Sequence, residues 1–215
     1  MDFIDLKEQQ KLIRKNIDTR ISNVLNHGQY IQGPEVKELE KELSDFSGSE
    51  YVLCCSSGTD ALLLGLIALG LKPNEGVIVP SFTFASTAET VCMLGAVPFF
   101  SDVKLDSYNI CEQSVLKCIN ESKKLGIQVK GIISVGLFGQ PCDMDKIKDL
   151  AKTNDLWILD DAAQSFGSTY KNKPLGTFGD FSSFSFYYSH HITSGEGGMV
   201  CTKDKKYLEI LKSLR

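Results

Sequence analysis

The sequence has no long hydrophobic run, no signal peptide and no excess of basic charge. Its longest apolar stretch, ALLLGLIALGL, holds about a dozen residues, fewer than the roughly 20 that a membrane-spanning helix needs. The formal net charge of −4 gives no electrostatic reason to bind DNA, RNA or an anionic membrane, which require a basic patch, and leaves room for a small anionic ligand to bind locally. The N-terminus is amphipathic and charged and lacks the apolar core of a secretion signal. We therefore expect a cytoplasmic protein with no nucleic-acid partner and no membrane partner.

Metal-binding and disulfide motifs are also missing. The seven cysteines form no CxxC pair, which excludes a zinc knuckle and a thioredoxin-type motif, and their odd number argues against a secreted disulfide scaffold. His190 and His191 are adjacent, but no tetrahedral ligand set accompanies them, so we expect no metal. With 42% hydrophobic and 23% charged residues, the 215-residue chain has the composition of an ordinary globular domain.

Short apolar runs alternate with amphipathic segments along the chain. The runs have the length of strands, and most of the segments between them are long enough to be crossover helices. This alternation predicts an α/β fold with helices packed on both faces of a mostly parallel sheet. The predicted strands are 51–55, 76–80, 97–101, 129–135, 156–160, 181–186 and 198–202.

The carboxyl ends of these strands are where ligands collect in such sheets. Gly58 and Thr59 follow the first strand and open a helix, and backbone N–H groups at such a turn suit a phosphate. The alternative interpretation is that Ser57 or Thr59 is only a helix N-cap. Phe84, after the second strand, could stack on a planar ligand or could belong to the core. Ser185, near the end of the sixth run, is unremarkable alone.

Acids and histidines follow the later strands. Asp160 and Asp161 end a hydrophobic strand, where two carboxylates are costly to bury unless a cation meets them. An Asp that faces a protonated ring nitrogen is one such arrangement, and a helix-capping Asp is the alternative. His190 precedes a glycine-rich turn and could act as a general base or acid.

Taken in order, several motifs resemble the DegT/DnrJ/EryC1/StrS sugar aminotransferase family over essentially the whole chain. They include FIDLKEQQ, CSSGTDAL, PSFTFASTAETV, LDDAAQSFGSTY and TSGEGGMV. The resemblance implies an aspartate aminotransferase-like (type I PLP) fold, a pyridoxal 5′-phosphate (PLP) or pyridoxamine 5′-phosphate (PMP) cofactor, and a homodimer. It implies a helical lead-in over 1–32, a cofactor-binding large domain over 33–215, and a smaller C-terminal domain that this chain lacks.

The same resemblance implies contacts with the cofactor. Gly58, Thr59 and Ser185 would hold its phosphate. Phe84 would stack on one face of the pyridine ring, and Ala163 would lie against the other. Most of these assignments fall at the strand ends where ligands were expected.

Three further residues would contact the cofactor ring or its reacting atoms. By resemblance, Asp161 would pair with the ring nitrogen and Gln164 would lie near the ring hydroxyl. His190 stands where the family's aminotransferases carry the lysine that forms a Schiff base with PLP, and no lysine occurs between Lys173 and Lys203. An imidazole cannot form that stable imine.

A histidine at this position resembles the family's sugar 3-dehydratase branch. That resemblance implies a PMP-dependent dehydratase of a nucleotide-linked 4-keto-6-deoxy sugar, in surface polysaccharide or O-antigen synthesis, with His190 as base. The scattered cysteines offer no iron–sulfur cluster, which favours regeneration of PMP by transamination, with glutamate as the amino donor. The alternatives are a sugar aminotransferase of the same family and a non-catalytic homologue.

Overall fold

The structure, a computed structural model, describes residues 6–215. The first five residues, which include part of the FIDLKEQQ motif and the start of the predicted lead-in, lie outside the described residues. The chain divides into two units, residues 1–42 and residues 43–215. The division into a lead-in over 1–32 and a cofactor-binding domain over 33–215 stays a prediction.

The first unit contains helix α1, Leu6–His27, and the start of helix α2, Pro34–Ser47. Pro34 occupies the first turn of α2, where its missing N–H costs nothing. The Arg20 guanidinium pairs with the Glu38 carboxylate, and His27 Nε2 lies 3.0 Å from Glu35 Oε1. These contacts between side chains connect the two helices within this unit.

The second unit is built on a seven-stranded sheet. Its strands lie close to the predicted runs, because short apolar runs bounded by turn residues are typical of buried strands. A separate two-stranded hairpin, β6 (Thr169–Tyr170) and β7 (Lys173–Pro174), was not predicted. The sheet strands are β1 (Tyr51–Cys55), β2 (Gly76–Pro80), β3 (Val97–Ser101), β4 (Val129–Val135), β5 (Trp157–Asp161), β8 (Phe181–Ser185) and β9 (Gly198–Thr202).

The strand order is β1-β9-β8-β5-β4-β2-β3. Strands β3, β2, β4, β5 and β8 are parallel, and β9 runs antiparallel to both β8 and β1. The mostly parallel sheet is therefore confirmed, with one antiparallel strand inserted between β1 and β8. The carboxyl ends of β1, β2, β5 and β8 consequently meet at one edge of the sheet.

Helices cover both faces of this sheet. On one face lie α3 (Gly58–Ala68), α4 (Ser86–Met93) and α7 (Lys205–Leu214), and on the other lie α5 (Glu112–Lys124) and α6 (Met144–Asn154). Neighbouring residues of one strand serve the two faces: Leu159 packs with α3, whereas Ile158 packs with α5 and α6. This arrangement confirms the predicted α/β architecture.

A substitution of Leu159 tests whether this side chain belongs to the hydrophobic core. Its side chain is fully buried, so Leu159→Ala should lower the free energy of unfolding by about 2–5 kcal/mol through lost transfer energy and a new cavity. The matched control is Leu105→Ala, because Leu105 is 93% exposed, and it should change stability by less than about 0.5 kcal/mol. Denaturant unfolding measures both, and equal losses would contradict the assigned core.

Candidate active site

A cavity of about 500 Å³ opens at the carboxyl ends of β1, β2, β5 and β8. That volume lies within the range of small-molecule sites. All eight residues predicted from the sequence line it, so the structure brings the whole predicted set together. They are Gly58, Thr59, Phe84, Asp161, Ala163, Gln164, Ser185 and His190.

The start of α3 forms one wall. Ser57 is its N-cap, since the Ser57 hydroxyl oxygen accepts the N–H of Asp60 at 3.0 Å. The N-cap interpretation is therefore confirmed for Ser57, which also lines the cavity. A Cβ on Gly58 would lie 2.6 Å from Ser185 Cβ, so only glycine lets the helix start approach the end of β8 this closely. The first-turn N–H groups have no partners within the helix and suit an anion.

Asp161 is the buried acid of the cavity, which the exposed Glu196 also lines. The side chain of Asp161 is almost fully buried. The Thr87 hydroxyl donates to Asp161 Oδ2 at 2.9 Å, and the Ala163 N–H donates to Oδ1 at 3.2 Å. Burial raises the pKa of Asp161, while these hydrogen bonds and the nearby His190 act in the opposite direction. A cation in the cavity would further favour the ionised carboxylate. Asp161 lies in β5 rather than before a helix, so the capping interpretation is wrong.

Two further predicted side chains are oriented by their surroundings. Phe84 is 72% exposed at the cavity, so the interpretation of Phe84 as core is wrong. Gln164 Oε1 accepts the backbone N–H of Phe138 at 2.9 Å. This bond fixes the amide, because its oxygen is used and its NH₂ group remains available as a donor.

His190 lines the cavity, with Nδ1 3.4 Å from the backbone oxygen of Ser185. A carbonyl oxygen can only accept, so this contact is a hydrogen bond when Nδ1 carries the proton. In the neutral ring Nε2 is then the nitrogen with a free lone pair, so Nε2 can accept a proton as a base. His191 is not among the lining residues; its Nε2 lies near Gly139 instead. Within residues 6–215, no group of three His, Cys, Asp or Glu side chains could hold a metal ion.

Several residues at the cavity or behind it were missed by sequence reasoning. Thr87 does not line the cavity but supports Asp161 from the buried side, and its place just inside a helix that follows a strand end could have drawn attention to it. Thr59 Oγ1 also contacts Ser86 Oγ at 2.9 Å, which connects two helix starts beside the cavity. The further lining residues are Ser57, Leu62, Ser86, Tyr187, Ser189 and Glu196.

Comparison with known proteins shows which family the chain belongs to. The model of the DegT/DnrJ/EryC1/StrS aminotransferase family matches residues 11–215, so the chain belongs to that family. Among curated relatives, a UDP-2-acetamido-2-deoxy-3-oxo-D-glucuronate aminotransferase of Pseudomonas aeruginosa is 41% identical over 215 residues. That match covers 100% of this chain and 58% of the relative. The chain spans about half the length of the curated relatives it matches.

Solved structures agree on the fold. An aminotransferase of this family from Brucella abortus superimposes with a TM-score of 0.95 at 41% identity, covering 99% of this chain and 58% of its own. The Streptococcus pneumoniae protein Spr1654, solved in PLP and PMP forms, is 31% identical, with a TM-score of 0.82 and coverage of 90% of this chain. It is itself covered over 53% of its length in the PLP form. The aspartate aminotransferase-like fold is therefore confirmed.

A dehydratase is also similar. A variant of GDP-4-keto-6-deoxymannose-3-dehydratase, solved with bound GDP-perosamine, is 32% identical, with a TM-score of 0.81, covering 89% of this chain and 50% of that one. Most of the named relatives are aminotransferases, however, so the comparisons favour the aminotransferase alternative over the dehydratase interpretation. A special closeness to the dehydratase branch stays a prediction.

In the described part of the chain, no helix combines the length and the apolar character needed to cross a membrane.

The close approach at Gly58 can be tested in the protein without any ligand. Gly58→Ala should lower the free energy of unfolding by about 1–3 kcal/mol, because the new methyl group would overlap Ser185. Thr59→Ser is the neighbouring control, since it keeps the hydroxyl that contacts Ser86. Thermal unfolding compares the two. A Gly58→Ala variant as stable as the control would contradict the packing of α3 against β8.

Proposed function

We propose that the protein is a PMP-dependent 3-dehydratase of a nucleotide-linked 4-keto-6-deoxy sugar. The single observation that carries this proposal is the imidazole of His190 in the cavity. Among the described residues that line the cavity there is no lysine. An imidazole can take or return a proton but cannot hold the cofactor through a stable imine, so a cofactor here must be held by non-covalent contacts alone.

The residues of the cavity fit PLP and PMP. The N–H groups at Gly58 and Thr59, with the Ser185 hydroxyl, would bind the phosphate. The buried Asp161 carboxylate, which already accepts two hydrogen bonds, would pair with the protonated ring nitrogen. The Gln164 amide has a free NH₂ group for the ring hydroxyl.

Two side chains lie beside the expected position of the ring. The exposed ring of Phe84 offers a stacking surface, and Ala163 adds a small apolar side chain to the same cavity. These side chains would orient a planar group without a covalent bond. The phosphate, the ring nitrogen, the ring hydroxyl and the two ring faces would therefore each meet a residue of suitable chemistry.

When bound, the cofactor supplies an electron sink for cleavage of a C–H bond next to its amino nitrogen and for loss of the sugar's C3 hydroxyl. The protein's part is proton transfer and orientation. His190 Nε2 would accept the proton, since its Nδ1 is held by the Ser185 carbonyl. Asp161 would keep the ring nitrogen protonated by staying ionised.

A sugar aminotransferase is the second candidate, and the names of most relatives support it. The two candidates differ in the covalent state of the cofactor. Borohydride reduction of the protein with one equivalent of PLP, followed by peptide mass spectrometry, should find no single lysine that carries the cofactor stoichiometrically. Stoichiometric trapping on one lysine would overturn the dehydratase proposal and leave the aminotransferase, whereas scattered labelling of exposed lysines is the background expected of any protein with PLP.

The base assignment predicts a sharp difference between two adjacent histidines. His190→Asn should lower the rate of 3-deoxy sugar formation by roughly 10²–10⁴-fold, the usual contribution of a general base. His191→Asn is the matched control and should retain the activity, because His191 is not among the residues that line the cavity. The measurement is product formation from PMP and the nucleotide-linked 4-keto-6-deoxy sugar. Equal losses in the two variants would contradict His190 as the base.

Cofactor affinity tests Asp161 separately from turnover. Asp161→Asn removes a charge-assisted hydrogen bond and should weaken binding of PLP by roughly 10- to 100-fold. Asp155→Asn is the control, since Asp155 is exposed in a left-handed position at the end of α6 that asparagine also tolerates. Absorbance titration measures both. Unchanged affinity in Asp161→Asn would remove the ring-nitrogen role, and absence of any binding by the unaltered protein would favour a non-catalytic homologue.

The proposed partners follow from the resemblance to the family. They are the nucleotide-linked keto sugar, glutamate as amino donor for regeneration of PMP, and a second copy of the chain in a homodimer. The proposed context is nucleotide-sugar metabolism for surface polysaccharide. A cytoplasmic location stays a prediction.

A further inference from the structure

A row of buried polar side chains crosses the sheet directly behind the cavity. Ser134 of β4 pairs in register with Asp160 of β5, and Asp160 pairs with Ser182 of β8. All three are buried, with Asp160 only 2% exposed. Because successive side chains of a strand point to opposite faces, this row lies on the face away from Asp161. The chemistry proposed for the cavity makes no use of it.

Asp160 is poorly provided with hydrogen-bond donors. The Ser134 hydroxyl donates to its Oδ1 at 2.8 Å. Its other oxygen, Oδ2, has no hydrogen-bond partner within residues 6–215, and neither has the Ser182 hydroxyl. A buried carboxylate with one oxygen unpaired carries a large desolvation cost, whereas a protonated carboxyl does not.

The titratable groups around Asp160 are few. They are Asp161 on the same strand, Cys142 in the segment before α6, and Lys148 of α6. The Lys148 ammonium lies over the ring of Phe178, 4.8 Å from its centroid, and makes no salt bridge with Asp160. No cation among the described residues therefore contacts the Asp160 carboxyl.

Asp161 differs from Asp160 in its hydrogen-bond donors and in its access to a cation. It accepts two hydrogen bonds, one on each oxygen, and it opens to a cavity that can receive a cation. Two adjacent buried acids repel each other when both are ionised. The second negative charge is therefore disfavoured at Asp160, the acid with fewer donors and no access to a cation.

We propose that Asp160 is a positioning residue that carries a proton in the folded protein, so that Asp161 is the only anion at the end of β5. The proton neutralises the carboxyl on the sealed face of the sheet. Its consequence for the cavity, a single buried negative charge at the end of β5 available to a cofactor cation, rests on the function proposed above.

The proposal has a definite effect on stability against pH. Burial raises the pKa of Asp160 to about 7, above its ordinary value near 4, and the charge of Asp161 acts in the same direction. The folded state then binds more protons than the unfolded state between those values. The contribution of Asp160 to stability is therefore fully present below about pH 4 and is lost as pH rises to about 7.

Asp160→Asn isolates this effect, because asparagine has the shape of the protonated acid and cannot ionise. The variant should melt at roughly the same temperature as the unaltered protein near pH 4 and should melt roughly 5 °C or more higher at pH 8. The measurement is thermal unfolding without cofactor across that range. A variant less stable than the unaltered protein at pH 8 would overturn the proposal, since Asp160 would then be a stabilising anion.

Lys148→Gln provides a second variant on an exposed helix position. If Asp160 is protonated, removal of this ammonium should change the melting temperature at pH 6 by the same amount, within roughly 1 °C, in the unaltered protein and in Asp160→Asn, because both then lose only the contact of Lys148 with Phe178. A loss that is larger in the unaltered protein than in Asp160→Asn would show an ion pair with Asp160 and would overturn the proposal. A ¹³C NMR titration of the assigned Asp160 carboxyl in the unaltered protein needs no variant: a protonated shift at pH 6 supports the proposal, and an ionised shift overturns it.

Cofactor binding separates this inference from the proposed function. Asp160→Asn should bind PLP within about twofold of the unaltered protein, whereas Asp161→Asn should not. If neither the variants nor the unaltered protein bind PLP, the proposed function fails while the stability and NMR results still decide the protonation of Asp160. A loss of PLP affinity in a stable Asp160→Asn variant would instead show that the negative charge is needed, against the proposal.

Discussion

Successive side chains of β5 point to opposite faces of a sheet that is covered on both sides, and the strand ends on two acids. The alternation sends Leu159 and Asp161 to the face of α3 and sends Ile158 and Asp160 to the face of α6. One acid therefore reaches the cavity and the other reaches a sealed interior. The electrostatics of the site depend on this constraint, because a carboxylate is stabilised only where donors or a cation meet it.

The remaining groups of the cavity are placed by the same geometry at other strand ends. The close contact of Gly58 with Ser185 joins the start of α3 to the end of β8. The backbone of β8 in turn holds the imidazole of His190 through the Ser185 carbonyl. Ser185 therefore takes part in both contacts, since its side chain meets Gly58 and its backbone oxygen faces the imidazole of His190.

Much of this arrangement could be predicted from the sequence. Five strands begin and end where the apolar runs do, because turn residues on either side of a hydrophobic run limit where the strand can begin and end. The predicted strand 156–160 begins and ends one residue before β5, because Asp161 still pairs in the ladder with Val135 and Ser183. The hairpin of β6 and β7 was missed because two-residue strands have no period to detect.

The candidate site was likewise predicted in part from the sequence and missed in part. The residue types at the strand ends, together with the resemblance to the family, select eight candidates that the fold does bring to one cavity. Thr87 was missed because its position near the start of a helix is a weak signal by itself, and its role depends on a contact with Asp161, a residue far along the chain. The direction of β9 was also beyond the sequence, since pairing partners are decided by the assembled sheet.

The position of β9 has a consequence for how the molecule assembles. Residues 51–55 pair in the sheet with residues 198–202, so β1 gains this neighbour only after a strand that lies far later in the sequence has been synthesised. Pairings of such long sequence separation close late and slow folding. During synthesis the start of α3 therefore emerges well before its neighbour at Ser185, and the wall of the cavity that they form is completed among the last parts of the sheet.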